Sequence, residues 1–213
     1  MAHKIVKSNA LHGTGAVHYQ LGNTADGQLY VGFQVDYSIA DVPEHFYIAD
    51  YFEVYSLDPE FLFVFGKREA PNAEGLRNKL EIYFPCQQFV TQFWRSSRDF
   101  HKALRDWNEQ FRLPTIERRD IKASGIITKT LHANNVLMVL AGGECVLDFF
   151  YLSPRDISLK APKGEKIDLM PLVRVILTPN LLLSLLDSAA PIANSLSEKY
   201  AIKEDTNEVM ELR

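Results

Sequence analysis

Short strings that are apolar at every position constrain this chain more than anything else in it. Phe61-Leu-Phe-Val-Phe65, Val136-Leu-Met-Val-Leu140 and, apart from Arg174, Leu172-Val-Arg-Val-Ile-Leu177 have the length and the β-branched or aromatic content of strands. Successive side chains of a strand point to opposite faces, so a strand with one wet face alternates apolar and polar residues. These strings do not alternate. Sheets built from them need cover on both faces, and one helix per sheet covers only one.

The strings recur in a fixed grammar. Tyr51-Phe-Glu-Val-Tyr55, Asp58-Pro59 and Phe61–Phe65 read as strand, turn, strand, and Val136–Leu140, Gly142-Gly143 and Val146-Leu-Asp-Phe-Phe150 repeat the pattern. Each half then adds a strand, 79–84 and 172–177, followed closely by Pro85 and Pro179. Proline at the first helical position loses only an amide that would have been unpaired, and Thr178 suits an N-cap, so both prolines are predicted to open helices. Phe89, Phe93, Phe100, Leu104, Trp107 and Phe111 supply the apolar stripe of the first helix, which Leu113-Pro114 ends. The second stripe runs from Leu182 to Tyr200 with Pro191 inside it, which predicts a kink or break near 187–190.

Further strand candidates lie upstream at 28–37 and 121–131, so each half reads β-β-β-β-α. The predicted fold class is α+β: two β-β-β-β-α repeats, antiparallel sheets each with one long helix, packed as a pseudo-twofold. The expected organisation is a flexible N-terminal segment 1–16, a first repeat 17–113, a second repeat 114–202 and an acidic C-terminal tail 203–213. The uncovered face of each sheet then meets the sister repeat or another subunit, which predicts a homo-oligomer or a subunit of a protein complex.

Composition narrows the function classes. The chain has 213 residues, a formal charge of −4 and 46% hydrophobic residues, as a globular protein does. It contains no apolar run of the ~18 residues a membrane span needs, and Met1–Gly15 has no apolar signal core, so a cytoplasmic chain without a membrane partner is expected. Cys86 and Cys145 are too few for a disulfide framework or an all-cysteine zinc site. Cys86, at a predicted helix N-terminus where the dipole lowers a thiol pKa, is a candidate nucleophile. The nearest histidine, His101, lies about four turns along the same helix, so a packed structural cysteine is the plainer reading. His3, His12, His18, His45, His101 and His132 include no i, i+4 pair, and neither Gly13-Thr-Gly15 nor Gly142-Gly143 has the setting of a phosphate loop. No catalytic residue, metal site or cofactor is expected, and the chain reads as non-enzymatic.

One basic feature stands out. Arg95, Arg98, Lys102 and Arg105 recur three or four residues apart, a stripe on one face of the first helix. With Tyr51, Tyr55 or Tyr30 as stacking surfaces it would suit single-stranded nucleic acid. Asp99, Asp106 and Glu109 interleave with it, so a solvated helix face is the competing reading.

Val146-Leu147-Asp148-Phe149, Arg174-Val175-Ile176-Leu177-Thr178-Pro179 and Lys199-Tyr200 give the chain a family resemblance. The hairpin, strand, proline and helix resemble a short bacterial and archaeal domain family of unknown function, whose members read Phe-x-Leu-Asp-Phe, a basic strand ending in Thr-Pro or Ser-Pro, and a helix closing near Tyr-Glu. Phe61–Gly66 and Phe84-Pro85 keep the shape without the Asp and the Thr. The resemblance implies no catalytic residues. More distantly, the doubled β-β-β-β-α order is similar to that of Whirly-type and Pur-type single-strand nucleic-acid binders, and Asp156-Ile-Ser-Leu-Lys-Ala-Pro162 is similar to the opening strand of the SecB chaperone. A non-enzymatic oligomeric binding or assembly protein is the leading expectation. A single-stranded DNA- or RNA-binding protein is the alternative, and a SecB-like polypeptide-binding chaperone comes third.

Overall fold

The computed structural model describes residues 15–23, 29–69, 75–111, 127–141 and 143–199. Gly13, Leu113-Pro114, Gly142, Tyr200, the 203–213 tail and most of 1–16 and 121–126, all used above, lie outside the described residues.

The fold is α+β. In chain order the strands are β1 (Val17–Asn23), β2 (Leu29–Val35), β3 (Phe46–Ile48), β4 (Tyr51–Ser56), β5 (Glu60–Arg68), β6 (Leu76–Pro85), β7 (Ile127–His132), β8 (Asn135–Ala141), β9 (Glu144–Leu152) and β10 (Leu169–Leu177). The helices are α1 (Cys86–Gln88), which continues through a π-helical stretch Phe89–Trp94 into α2 (Arg95–Phe111), then α3 (Pro154–Lys160) and α4 (Pro179–Lys199). The strands form a β1-β2 hairpin and two four-stranded sheets, ordered β3-β10-β9-β8 and β4-β5-β6-β7. Two compact units result, and each draws on two separate stretches of chain. Unit 1 takes the described residues of Met1–Ile48 and His132–Ile176, and unit 2 those of Ala49–Leu131 and Leu177–Arg213. Both α2 and α4 therefore belong to unit 2, although α4 follows directly on the last strand of unit 1.

In unit 2, β4 and β5 pair antiparallel across the Asp58-Pro59 turn, with Ser56 opposite Phe61, and β6 continues the ladder. Every residue from Phe61 to Gly66 is buried, so both faces of β5 are covered as its sequence requires. On one face Phe89 stacks on Phe61 with ring centroids 3.7 Å apart, and Phe93 meets Phe63 edge-on at 5.1 Å. Such aromatic pairs add about 0.5–1.5 kcal/mol each beyond area burial. A Cβ at Gly66 would stand 2.9 Å from Leu76 Cδ1 and 3.0 Å from Tyr51 Cδ1, so any larger residue there would require those side chains to shift.

The two proline starts differ. Pro179 is the first residue of α4, and Thr178 Oγ1 accepts the Leu181 amide at 3.3 Å. Pro85 remains the last residue of β6 with an extended ψ of 133°, so the first helix begins one residue later, at Cys86. α4 runs through Pro191 as one helix, so the expected break is absent. Pro191 cannot donate to the Asp187 carbonyl, and both residues are exposed, so the lost bond falls on the solvent side of the helix. Leu182, Leu185 and Leu186 on one side of Pro191, and Ala193 and Leu196 on the other, hold the helix through their burial. α4 packs against β4 and α2.

In unit 1, β8 and β9 form the second predicted hairpin, and β3 adds to β10 in parallel, Arg174 beside Phe46 and Ile176 beside Ile48. The β1-β2 hairpin shares a core with this unit: Val17 and Tyr19 are buried with Phe150, Leu152, Ile167 and Leu169. The Tyr19 hydroxyl donates to the Glu165 carbonyl at 3.0 Å, which satisfies the polar end of a buried ring. The strand candidate at 28–37 thus becomes β2 and pairs with β1. The stretch from Ser153 opens as α3, with Pro154 at its start and Ser153 accepting the Asp156 amide at 3.2 Å, so Asp156–Lys160, compared above with a strand, is helical.

Candidate functional site

α2 carries the basic stripe into solvent: Arg95, Arg98, Lys102 and Arg105 are all exposed. They are not equivalent. Arg105 donates to Asp187 Oδ1 on α4 at 2.6 Å, and His101 Nε2 meets the same oxygen at 2.8 Å. A carboxylate only accepts, so that bond places a proton on Nε2. Burial pushes the Asp187 carboxyl up, but the hydrogen bonds and charges of Arg105 and His101 outweigh it and hold the pKa below the ordinary value. The stripe thus ends in a clasp that joins two helices of one unit, with the His101 ring 6.0 Å from that of Trp94.

The stacking surface is less suited to phosphate. Tyr51 and Tyr55 lie on one face of β4 with Glu53 between them. The Tyr51 hydroxyl donates to Glu53 Oε1 at 2.5 Å. Burial, then the hydrogen bond and charge of Glu53, raise the Tyr55 pKa. A carboxylate between two rings repels a nucleic-acid backbone rather than drawing it in. Tyr30, the third residue named for this role, belongs to β2 of unit 1, whereas β4 belongs to unit 2.

Both cysteines are buried. Burial pushes the Cys86 thiol up despite a hydrogen bond with Ser56, and pushes Cys145 up to about 11. Neither has the lowered pKa of a nucleophile. Among the described residues no three His, Cys, Asp or Glu side chains gather as a metal site, and no helix is long and apolar enough to cross a membrane.

The feature that the sequence reading missed is on the sheet of unit 1. Eight of the eleven exposed large hydrophobics among the described residues belong to that unit. The most exposed is Phe46, at 69%, followed on the same face of β3 by Ile48 at 51%. Beside them on β10, Arg174 makes a two-pronged ion pair with Asp148, Nε to Oδ1 and NH2 to Oδ2, both at 2.7 Å. The carboxylate is 4% exposed and consumes the arginine's charge, so the face is apolar with an internally neutralised centre. A sequence signal for this region exists in the charges: between Lys7 and Lys67 there is no Lys or Arg, while eight Asp and Glu fall in that span. The net charge of the whole chain conceals it.

No protein-family profile matches the chain, and no curated protein aligns with it significantly.

Proposed function

We propose that the chain is a non-enzymatic polypeptide-binding module that works as an oligomer or as a subunit of a complex. The observation that carries this reading is the concentration of exposed apolar side chains in unit 1, above all Phe46 and Ile48 at the outer end of the β3-β10-β9-β8 sheet. Exposed apolar surface of this kind marks interaction sites, and an edge strand offers backbone groups for pairing with another chain. Light scattering across a micromolar concentration series, together with a peptide array, tests it. Self-association or retention of a peptide subset is expected, and either is lost in a Phe46→Ser, Ile48→Ser double variant. A monomer at every concentration that retains no peptide would overturn the proposal.

The single-strand reading keeps three exposed cations, Arg95, Arg98 and Lys102, in its favour. Its test is an oligonucleotide mobility shift at low salt that weakens steeply as salt rises. Absence of a shift removes it.

A further inference from the structure

The segment leading into β3 combines two properties that rarely coincide by accident. Its exposed apolar side chains are Ile39, Val42, Phe46 and Ile48. Its exposed charges are Asp41 and Glu44, and no Lys or Arg lies anywhere between Lys7 and Lys67 to offset them. Asp36, just upstream, accepts from the Ser38 amide at 3.0 Å and hydroxyl at 2.6 Å, which fixes a third carboxylate in the same run. β3 itself is three residues long and stands at the end of its sheet with β10 as its neighbour. The nearest cation along the sheet, Arg174, is already held by Asp148.

From this combination we infer that β3 docks an extended, amphipathic, cationic segment of a partner protein, added as a strand beside Phe46–Ile48. The partner's apolar residues cover Phe46 and Ile48, and its Lys or Arg residues face Asp41 and Glu44. The main-chain ladder supplies affinity and the alternating side chains supply selectivity. Charge decides against the obvious rival, a second copy of this chain. A twofold contact sets this acidic patch against the same patch, residue i meeting j and j meeting i, so Asp41 and Glu44 would find no Lys or Arg in the facing segment and only His45 as a basic side chain. Like charges brought together across an interface cost several-fold in affinity, whereas opposite charges speed encounter and fix register. The inference rests on the polypeptide-binding reading above and narrows it to one partner chemistry.

The test is fluorescence anisotropy of the full chain with three short labelled peptides: alternating Lys and Leu, alternating Ser and Leu, and alternating Glu and Leu. The Lys-Leu peptide is expected to bind most tightly, with affinity falling as salt rises, and the Glu-Leu peptide least. Asp41→Asn with Glu44→Gln is expected to weaken Lys-Leu binding about tenfold and flatten its salt dependence. Phe46→Ser with Ile48→Ser is expected to weaken it by at least about tenfold. All four positions are exposed, so an unchanged urea midpoint separates lost binding from lost folding. Equal affinity for the three peptides, or no effect of neutralising Asp41 and Glu44, overturns the cationic partner and leaves polypeptide binding standing. If no peptide binds but self-association disappears in the Phe46→Ser, Ile48→Ser variant, a second copy occupies the edge and this inference falls alone. No peptide and no self-association overturn both.

Discussion

Arg174→Met isolates the ion pair at the centre of the unit 1 sheet. Methionine keeps the apolar stem of the arginine but removes both prongs, leaving Asp148, at 4% side-chain exposure, without its partner. Breaking a buried pair from one side costs about 3–5 kcal/mol, because a charge stays behind in a place water hardly reaches. Arg174 is itself 33% exposed, so some water follows the vacated guanidinium and the lower end, about 3 kcal/mol, is expected. At roughly 2–4 °C per kcal/mol for a chain of this size, the melting temperature falls by about 6–12 °C. The sharper measurement is the double variant, Arg174→Met with Asp148→Leu. With both charges gone no desolvated group remains, so urea denaturation should return to within about 1 kcal/mol of the unaltered protein. A single variant that loses less than about 1 kcal/mol, or a double variant less stable than the single, would refute the reasoning.

Three other outcomes follow from the geometry. Asp187 has a depressed pKa, so its share of stability is complete above the ordinary value of 3.8 and is lost as pH falls through the folded-state pKa. Because the side chain is 45% exposed, solvent screening keeps that share under about 1 kcal/mol. Urea midpoints of the natural chain and an Asp187→Asn variant should differ at neutral pH and converge in acid, and a pH-independent gap contradicts this. Cys86 and Cys145, buried and with raised thiol pKa values, should both resist Ellman's reagent in the native state and react in denaturant. Prompt native labelling of Cys86 would show a reactive thiol instead. Pro191→Ala restores an amide donor inside α4 at an exposed position and should stabilise the chain by about 1–2 kcal/mol, short of the full helix-interior cost of proline because the buried residues on either side already hold the helix in place. A loss of stability would mean that the proline's shape is required by its neighbours.

Local chemistry was legible and long-range choice was not. Asp58-Pro59 between two apolar runs specified a hairpin, and Thr178-Pro179 specified a capped helix start, because both signals act within a few residues. α3 has the same kind of signal in Ser153-Pro154, but the stretch Asp156–Pro162 was compared with a strand instead. β3 was invisible because three residues after Pro43 carry no period, and its strand identity comes from β10, far away in the chain. The basic stripe on α2 was correctly placed on one exposed face, yet the loss of Arg105 to Asp187 depends on how α4 packs. The apolar edge escaped notice because an isolated Phe or Ile says nothing of exposure until the sheet is known.

The order of the strands has a consequence for synthesis on the ribosome. The sheet of unit 2 ends in β7, which emerges after the first helix is complete, and its α4 emerges last of the described elements. The sheet of unit 1 begins with β3 but waits for β8, β9 and β10. No vectorial, one-domain-at-a-time route can finish either unit early. The greasy strand Phe61–Phe65 is therefore made well before α4, the last described element of its unit, and in the interval its cover comes from its own hairpin, β6 and the first helix.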